Sequence, residues 1–231
     1  MSHEISIAIE TSCRKGGLAI ARGDELLYSV SFDASARHTT QLISRMSEML
    51  SSAGLAPDSL EHVYVSVGPG SFTGLRIGIT VARTMAQLLP KLKCVAVPAD
   101  QACAQNASGL DWTHLGVVLA AKGESAYTAV FDRRGSQMVL AKQPKIVRFD
   151  DFLARAPKPI LLLGEGVAYF EVDAPGVSVA DGELWLPTAK GVWSVGRAMA
   201  DEGQFTEYHK LLPNYGRKPE AVRLWDQRVN G

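Results

Sequence analysis

The stretch Gly68-Pro69-Gly70-Ser71-Phe72-Thr73-Gly74-Leu75-Arg76-Ile77-Gly78-Ile79 constrains the fold more than any other part of the chain. Val63-Tyr64-Val65-Ser66-Val67 ahead of it is strand-like, and Pro69 between two glycines forces a reversal that no helix interior tolerates. Ser71 or Thr73 can cap the orphan amides of a first helical turn. From there a helix is predicted through residue 89, with two unlike faces. Gly74, Gly78, Ala82 and Ala86 fall at i, i+4, i+8 and i+12, while Ile77, Val81, Met85 and Leu88 form a bulkier face beside them. Each interior glycine costs about 1 kcal/mol against alanine. Close approach of another helix, of a ligand or of the protein's own sheet would justify that cost.

The flanking pattern sets this helix in a larger unit. Residues 5–10, 16–21 and 26–32 read as three short strands at hairpin spacing. Leu42, Ile43, Met46, Met49, Leu50 and Ala53 follow the period of an amphipathic helix over residues 39–53. A strand over 94–97, closed by Pro98, completes an α/β unit. After Pro98 the pattern starts again. A small helix over 99–107 precedes strand candidates at 115–121, 126–132 and 137–141. A helix at 150–154, a strand at 160–163, a turn at Gly164-Glu165-Gly166 and a helix near 192–202 complete the second series. The expectation is therefore two similar α/β lobes, 1–98 and 99–231, each a mixed sheet with helices, facing each other across a cleft.

Composition narrows the function classes. Lys plus Arg and Asp plus Glu are both 24, so the formal net charge of zero gives no electrostatic footprint for nucleic acid. Cys13, Cys94 and Cys103 are scattered, without paired metal spacing, and read as free thiols. Residues 1–4 lack a basic leader region, and no apolar run reaches the length of a membrane span, so a cytoplasmic location is expected.

The layout resembles the actin/Hsp70/sugar-kinase superfamily (ribonuclease H-like fold), and within it the bacterial TsaB (YeaZ) family. The resemblance rests on Ala8-Ile9-Glu10-Thr11-Ser12, on Arg37-His38-Thr39-Thr40-Gln41-Leu42, on the glycine signature at residues 68–78, and on Pro213-Asn214-Tyr215-Gly216-Arg217. It implies a role in making threonylcarbamoyladenosine beside the tRNA anticodon. There, a TsaB-type subunit is the non-catalytic partner of the related transferase TsaD, joins the ATPase TsaE, forms homodimers, and meets tRNA only through the complex. It also implies pairing through the two helices of the first lobe. The expected interface residues are His38, Leu42, Met46 and Met49 from the first helix, and Gly74, Ile77, Gly78, Val81, Ala82 and Met85 from the second.

The residues also allow a check for catalysis. The catalytic relative carries His-x3-His, but His38 is followed four residues later by Leu42, so no metal is expected. Glu10, Thr11 and Ser12 are the candidates for a phosphate and cation site, expected to be weak or vestigial. Arg14-Lys15-Gly16-Gly17 is no glycine-rich cradle, and no Gly-x4-Gly-Lys-Ser/Thr loop occurs. Ala120 stands where many members of the family have an acid, which removes a natural magnesium ligand. Ser71 is a superficial nucleophile candidate, since Gly70 directly precedes it and the Gly-x-Ser-x-Gly spacing fails. The alternative to a scaffold is an ATP-dependent or peptidase-like hydrolytic enzyme working in the cleft. The tail with Tyr215, Arg217 and Trp225 reads either as irregular or as a docking strap.

Overall fold

Ile5–Glu10 (β1) is buried along its whole length, because both of its faces are covered. The structure, a computed structural model, describes residues 4–33, 38–135, 137–216 and 225, with residues 38–41 described by their backbone alone. Lys15–Arg22 (β2) and Glu25–Asp33 (β3) continue from β1 as an antiparallel meander. The helix His38–Ser52 (α1) leads by a short 3-10 turn into Leu60–Gly68 (β4), which returns parallel to β1. Phe72–Leu88 (α2) then crosses over to Lys93–Pro98 (β5), again parallel. The sheet order is β3-β2-β1-β4-β5.

The second half repeats this plan. Ala99–Ala104 (α3) precedes the antiparallel strands His114–Ala120 (β6), Ser125–Arg134 (β7) and Gln137–Arg148 (β8). Phe149–Arg155 (α4), Ile160–Leu163 (β9) and Val177–Val179 (β10) come next, with β6-β9 and β9-β10 parallel. Its order, β8-β7-β6-β9-β10, matches the first sheet strand for strand. The strand β10 escaped the sequence reading because three residues show no periodicity. The strand β8 runs well past residue 141, since its register shifts opposite Val130 and its outward side chains break the alternation.

Period-two alternation divides the first sheet between two cores. Ile7, Ile9, Leu18, Ile20, Val63 and Val65 pack with Leu42, Met46, Leu50, Leu75 and Ile79 of α1 and α2. Each such fully buried side chain stabilises by about 1.5–3 kcal/mol. Ala8, Ala19, Tyr64, Val95 and Val97 on the other face pack against Ala189, Val192 and Val195 of the last helix, Ala189–Asp201 (α5). The expected division at residue 98 therefore separates the two sheets but not the helices: α5 leaves the second half and covers the first sheet. Small residues allow it. A Cβ on Gly196 would meet Tyr64 Cγ at 2.5 Å, and one on Gly191 would meet the Ala102 carbonyl at 2.2 Å.

Candidate functional site

The carboxyl end of β1 is where the cleft residues converge. Glu10 and Thr11 are 0% exposed and Ser12 is 2% exposed, so the candidate phosphate and cation residues, expected to form a weak or vestigial site, are buried. The Ser12 amide donates to Glu10 Oε1, and the Ser66 hydroxyl at the end of β4 faces the same carboxyl. Glu10 Oε2 and the hydroxyls of Thr11 and Ser66 have no hydrogen-bond partner. Burial holds the Glu10 carboxyl above its usual range, and Glu165 adds to the effect.

The glycine signature packs against this same strand end. Ser71 caps α2 as expected, its hydroxyl accepting from the Gly74 amide at 3.3 Å. The Ser71 amide in turn donates to the Ser12 carbonyl at 2.6 Å. A Cβ on Gly74 would lie 1.9 Å from the Thr11 carbonyl oxygen, and one on Gly78 would lie 2.3 Å from Thr11 Oγ1. So the small stripe admits the protein's own first strand. Gly74, Gly78 and Ala82 are buried there and cannot meet a partner's helix. The Ser71 oxygen is engaged as the helix cap.

The other expected interface residues are mostly core residues as well. Leu42, Met46, Met49 and Val81 are buried in the first core, and Ile77 and Met85 are partly buried against it. The His38 side chain lies outside the described residues, as does Arg217. What α1 and α2 do expose lies at the outer rim: Ile43 is 49% and Leu88 is 74% exposed. Between them runs a groove of about 470 Å³ lined by Ile43, Met46, Leu50, Leu55, Met85, Leu88 and Leu89, among others. The apolar surface that α1 and α2 expose therefore lies at this rim and not along the small-residue stripe.

Two acids went unnoticed in the sequence. Asp100, in the first turn of α3, is 1% exposed, and its Oδ1 has no partner. Burial pushes its carboxyl up to about 6, with the amides of its own turn partly offsetting this. Glu165 follows the turn after β9 and is also raised by burial, with Arg14 pulling the other way. A lone Asp after Pro98 reads as an ordinary first-turn acid, so only the packing of α3 reveals it. Around these acids the thiols are buried as well. Burial pushes Cys13 up to about 12, and Cys103 rises well above its usual value. Among the described residues no group of three or more His, Cys, Asp or Glu side chains is arranged to hold a metal.

A family model described as TsaD: tRNA N6-adenosine threonylcarbamoyltransferase matches residues 32–178. Full-length likeness is to a narrower group. The TsaB biosynthesis protein of Bacillus subtilis (strain 168) is 25% identical over 223 residues, covering 95% of this chain and 96% of that one. The chain belongs to the TsaD family, in its TsaB (YeaZ) branch. The Escherichia coli (strain K12) TsaB protein is 28% identical over 198 residues, covering 80% of this chain and 82% of its own. The solved structure of YeaZ from Pseudomonas aeruginosa superposes with a TM-score of 0.78 at 22% identity, covering 92% and 99% of the two chains. That likeness shows the shared two-lobed fold.

Proposed function

We propose that this chain is a non-catalytic subunit for tRNA threonylcarbamoyladenosine biosynthesis, one that pairs with a TsaD-type transferase, joins a TsaE-type ATPase and self-associates. Its full-length match to TsaB proteins is the observation that carries this reading. Burial supports the non-catalytic part: Glu10, Thr11 and Ser12 lie buried against the start of α2, and Ala120 supplies no acid. The groove between α1 and α2, with Ile43 and Leu88 at its rim, is the apolar surface that suits a helical partner. Met46 and Met85 in its wall adapt to more than one such partner. One surface for both pairings means that the homodimer and the heterodimer compete. Contact with tRNA comes through the complex, in keeping with a net charge of zero. A cytoplasmic location goes with that pathway, and no helix among the described residues is long and apolar enough to cross a membrane.

Co-purification with the TsaD and TsaE proteins of the same organism tests the reading. Capture of TsaD supports it, and failure to capture either protein contradicts it. A thermal-shift titration with magnesium and ATP runs beside it: strong stabilisation of the isolated chain would favour a cleft enzyme instead.

A further inference from the structure

Strict alternation would send Lys142 and Lys145, three residues apart in β8, to opposite faces of the second sheet. The register against β7 prevents this: Val130 pairs with Lys142 and Thr128 with Lys145. Thr128 and Val130 are two residues apart and share a face, so both lysines are brought to that face. The extra residue is taken up as a bulge at Gln143-Pro144, and the Thr128 hydroxyl donates to the Lys145 carbonyl at 3.3 Å beside it. This is the face on which α4 packs, since Val130 shares a core with Phe149 and Phe152. The helix is only seven residues long, and beside it a pocket of about 130 Å³ stays open. Its floor is apolar, formed by Val130, Val147 and Phe152. Its rim carries the exposed Lys142, Lys145 and Arg155, the last from the final turn of α4, against one exposed acid, Asp151. The Lys142 ammonium donates to the Arg155 carbonyl at 3.3 Å, which ties the strand to the helix end. Among the described residues neither Lys145 nor Arg155 forms an ion pair.

We propose that this corner of the second sheet is a binding site for a small organic carboxylate. Its apolar body rests on Val130, Val147 and Phe152, and its charge lies between Lys145 and Arg155. Three features call for that class. An excess of cations at the rim holds a carboxylate through charge-assisted hydrogen bonds, which a neutral guest forgoes. An apolar floor rewards a guest with a hydrocarbon body, which inorganic phosphate or acetate lacks. And the volume admits a body of side-chain size rather than a nucleotide. The bulge supplies the reason for the arrangement: without it, one of the two lysines would leave this face.

The probe is 4-fluorophenylacetate, titrated into the full chain and followed by fluorine NMR. Its neutral counterpart, 4-fluorophenylethanol, keeps the body and removes the charge. Near-ultraviolet circular dichroism checks that each variant remains folded. A saturable shift is expected with the parent chain, about tenfold weaker in Lys145→Gln and in Arg155→Gln, and weakened by added salt. Arg134→Gln, which removes an exposed cation outside the pocket, leaves the affinity unchanged. The alcohol binds about tenfold more weakly than the acid. Absence of a saturable shift with the parent, an affinity that Lys145→Gln and Arg155→Gln both leave intact, or equal binding of acid and alcohol would overturn the assignment. The lysine stems would then be no more than a cover for the apolar floor.

Discussion

Gly68 and Gly164 end the fourth strand of their respective sheets, with φ of 105° and 115°. Both stand where a side chain would strike a carbonyl. A Cβ would lie 2.3 Å from the Asn214 oxygen at Gly68 and 2.2 Å from the Val118 oxygen at Gly164. Beyond these glycines the two halves part. The first turn opens into the 17-residue α2, and the second into a five-residue 3-10 helix at Glu165–Tyr169. One strand plan thus carries two different coats. The first sheet acquires two long helices with an apolar rim. The second is left thin on that side and sends α5 back to the first. The apolar rim belongs to the half that has helix to spare.

The likeness of the two halves is most exposed to disproof at the turns themselves. Gly68→Ala and Gly164→Ala each combine a strained φ with a backbone clash, and each is expected to cost about 3 kcal/mol in urea denaturation. A near-neutral result at either position would mean that the two turns are not equivalent. Gly74→Ala adds only the clash, on the Thr11 carbonyl, without a strained φ.

Asp100 comes next. Its folded-state value, about 6, lies above its unfolded one, so its contribution to stability is complete below about pH 4 and is lost as pH rises through 6. Glu10 acts in the same direction. Asp100→Asn is therefore expected to be more stable than the parent at pH 8, on the order of 2 kcal/mol, with the gap closing by pH 4. Equal denaturation midpoints for the two at pH 8 would contradict the burial of a charge there. A smaller effect is expected at the strap. Tyr215→Ala loses the stack on Phe72 and should cost about 1 kcal/mol, seen as a lower melting temperature; an unchanged melt would mean that the tail does not hold the first turn.

Much of the fold could be read directly. Alternation marked β1, hairpin spacing marked β2 and β3, the Leu42-Met46-Met49 spacing marked α1, and Gly-Pro-Gly ahead of Ser71 marked the start of α2. The repeat of two units came from element order alone. What stayed hidden depends on contacts distant in sequence. Nothing in residues 189–201 says that Val192 and Val195 face Ala8 and Val95 rather than their own sheet. Similarly, the glycine stripe signals that something approaches closely without naming it; Thr11, more than sixty residues earlier, is the answer. Which residues of the helix pair are exposed was not legible. Periodicity marks the most apolar face of a helix, and that face is the one the core takes, so Gly78 and Met49 were expected where Ile43 and Leu88 stand free.

That distinction between the buried stripe and the exposed rim can be measured in one experiment: size-exclusion chromatography with light scattering of this chain mixed with the TsaD protein of the same organism, for Leu88→Glu and Gly78→Ala side by side. The account predicts that Leu88→Glu melts like the parent yet fails to form the heterodimer. It predicts that Gly78→Ala melts earlier yet still pairs while folded. Pairing by Leu88→Glu, with loss of pairing by a stably folded Gly78→Ala, would place the partner on the glycine stripe and contradict the account.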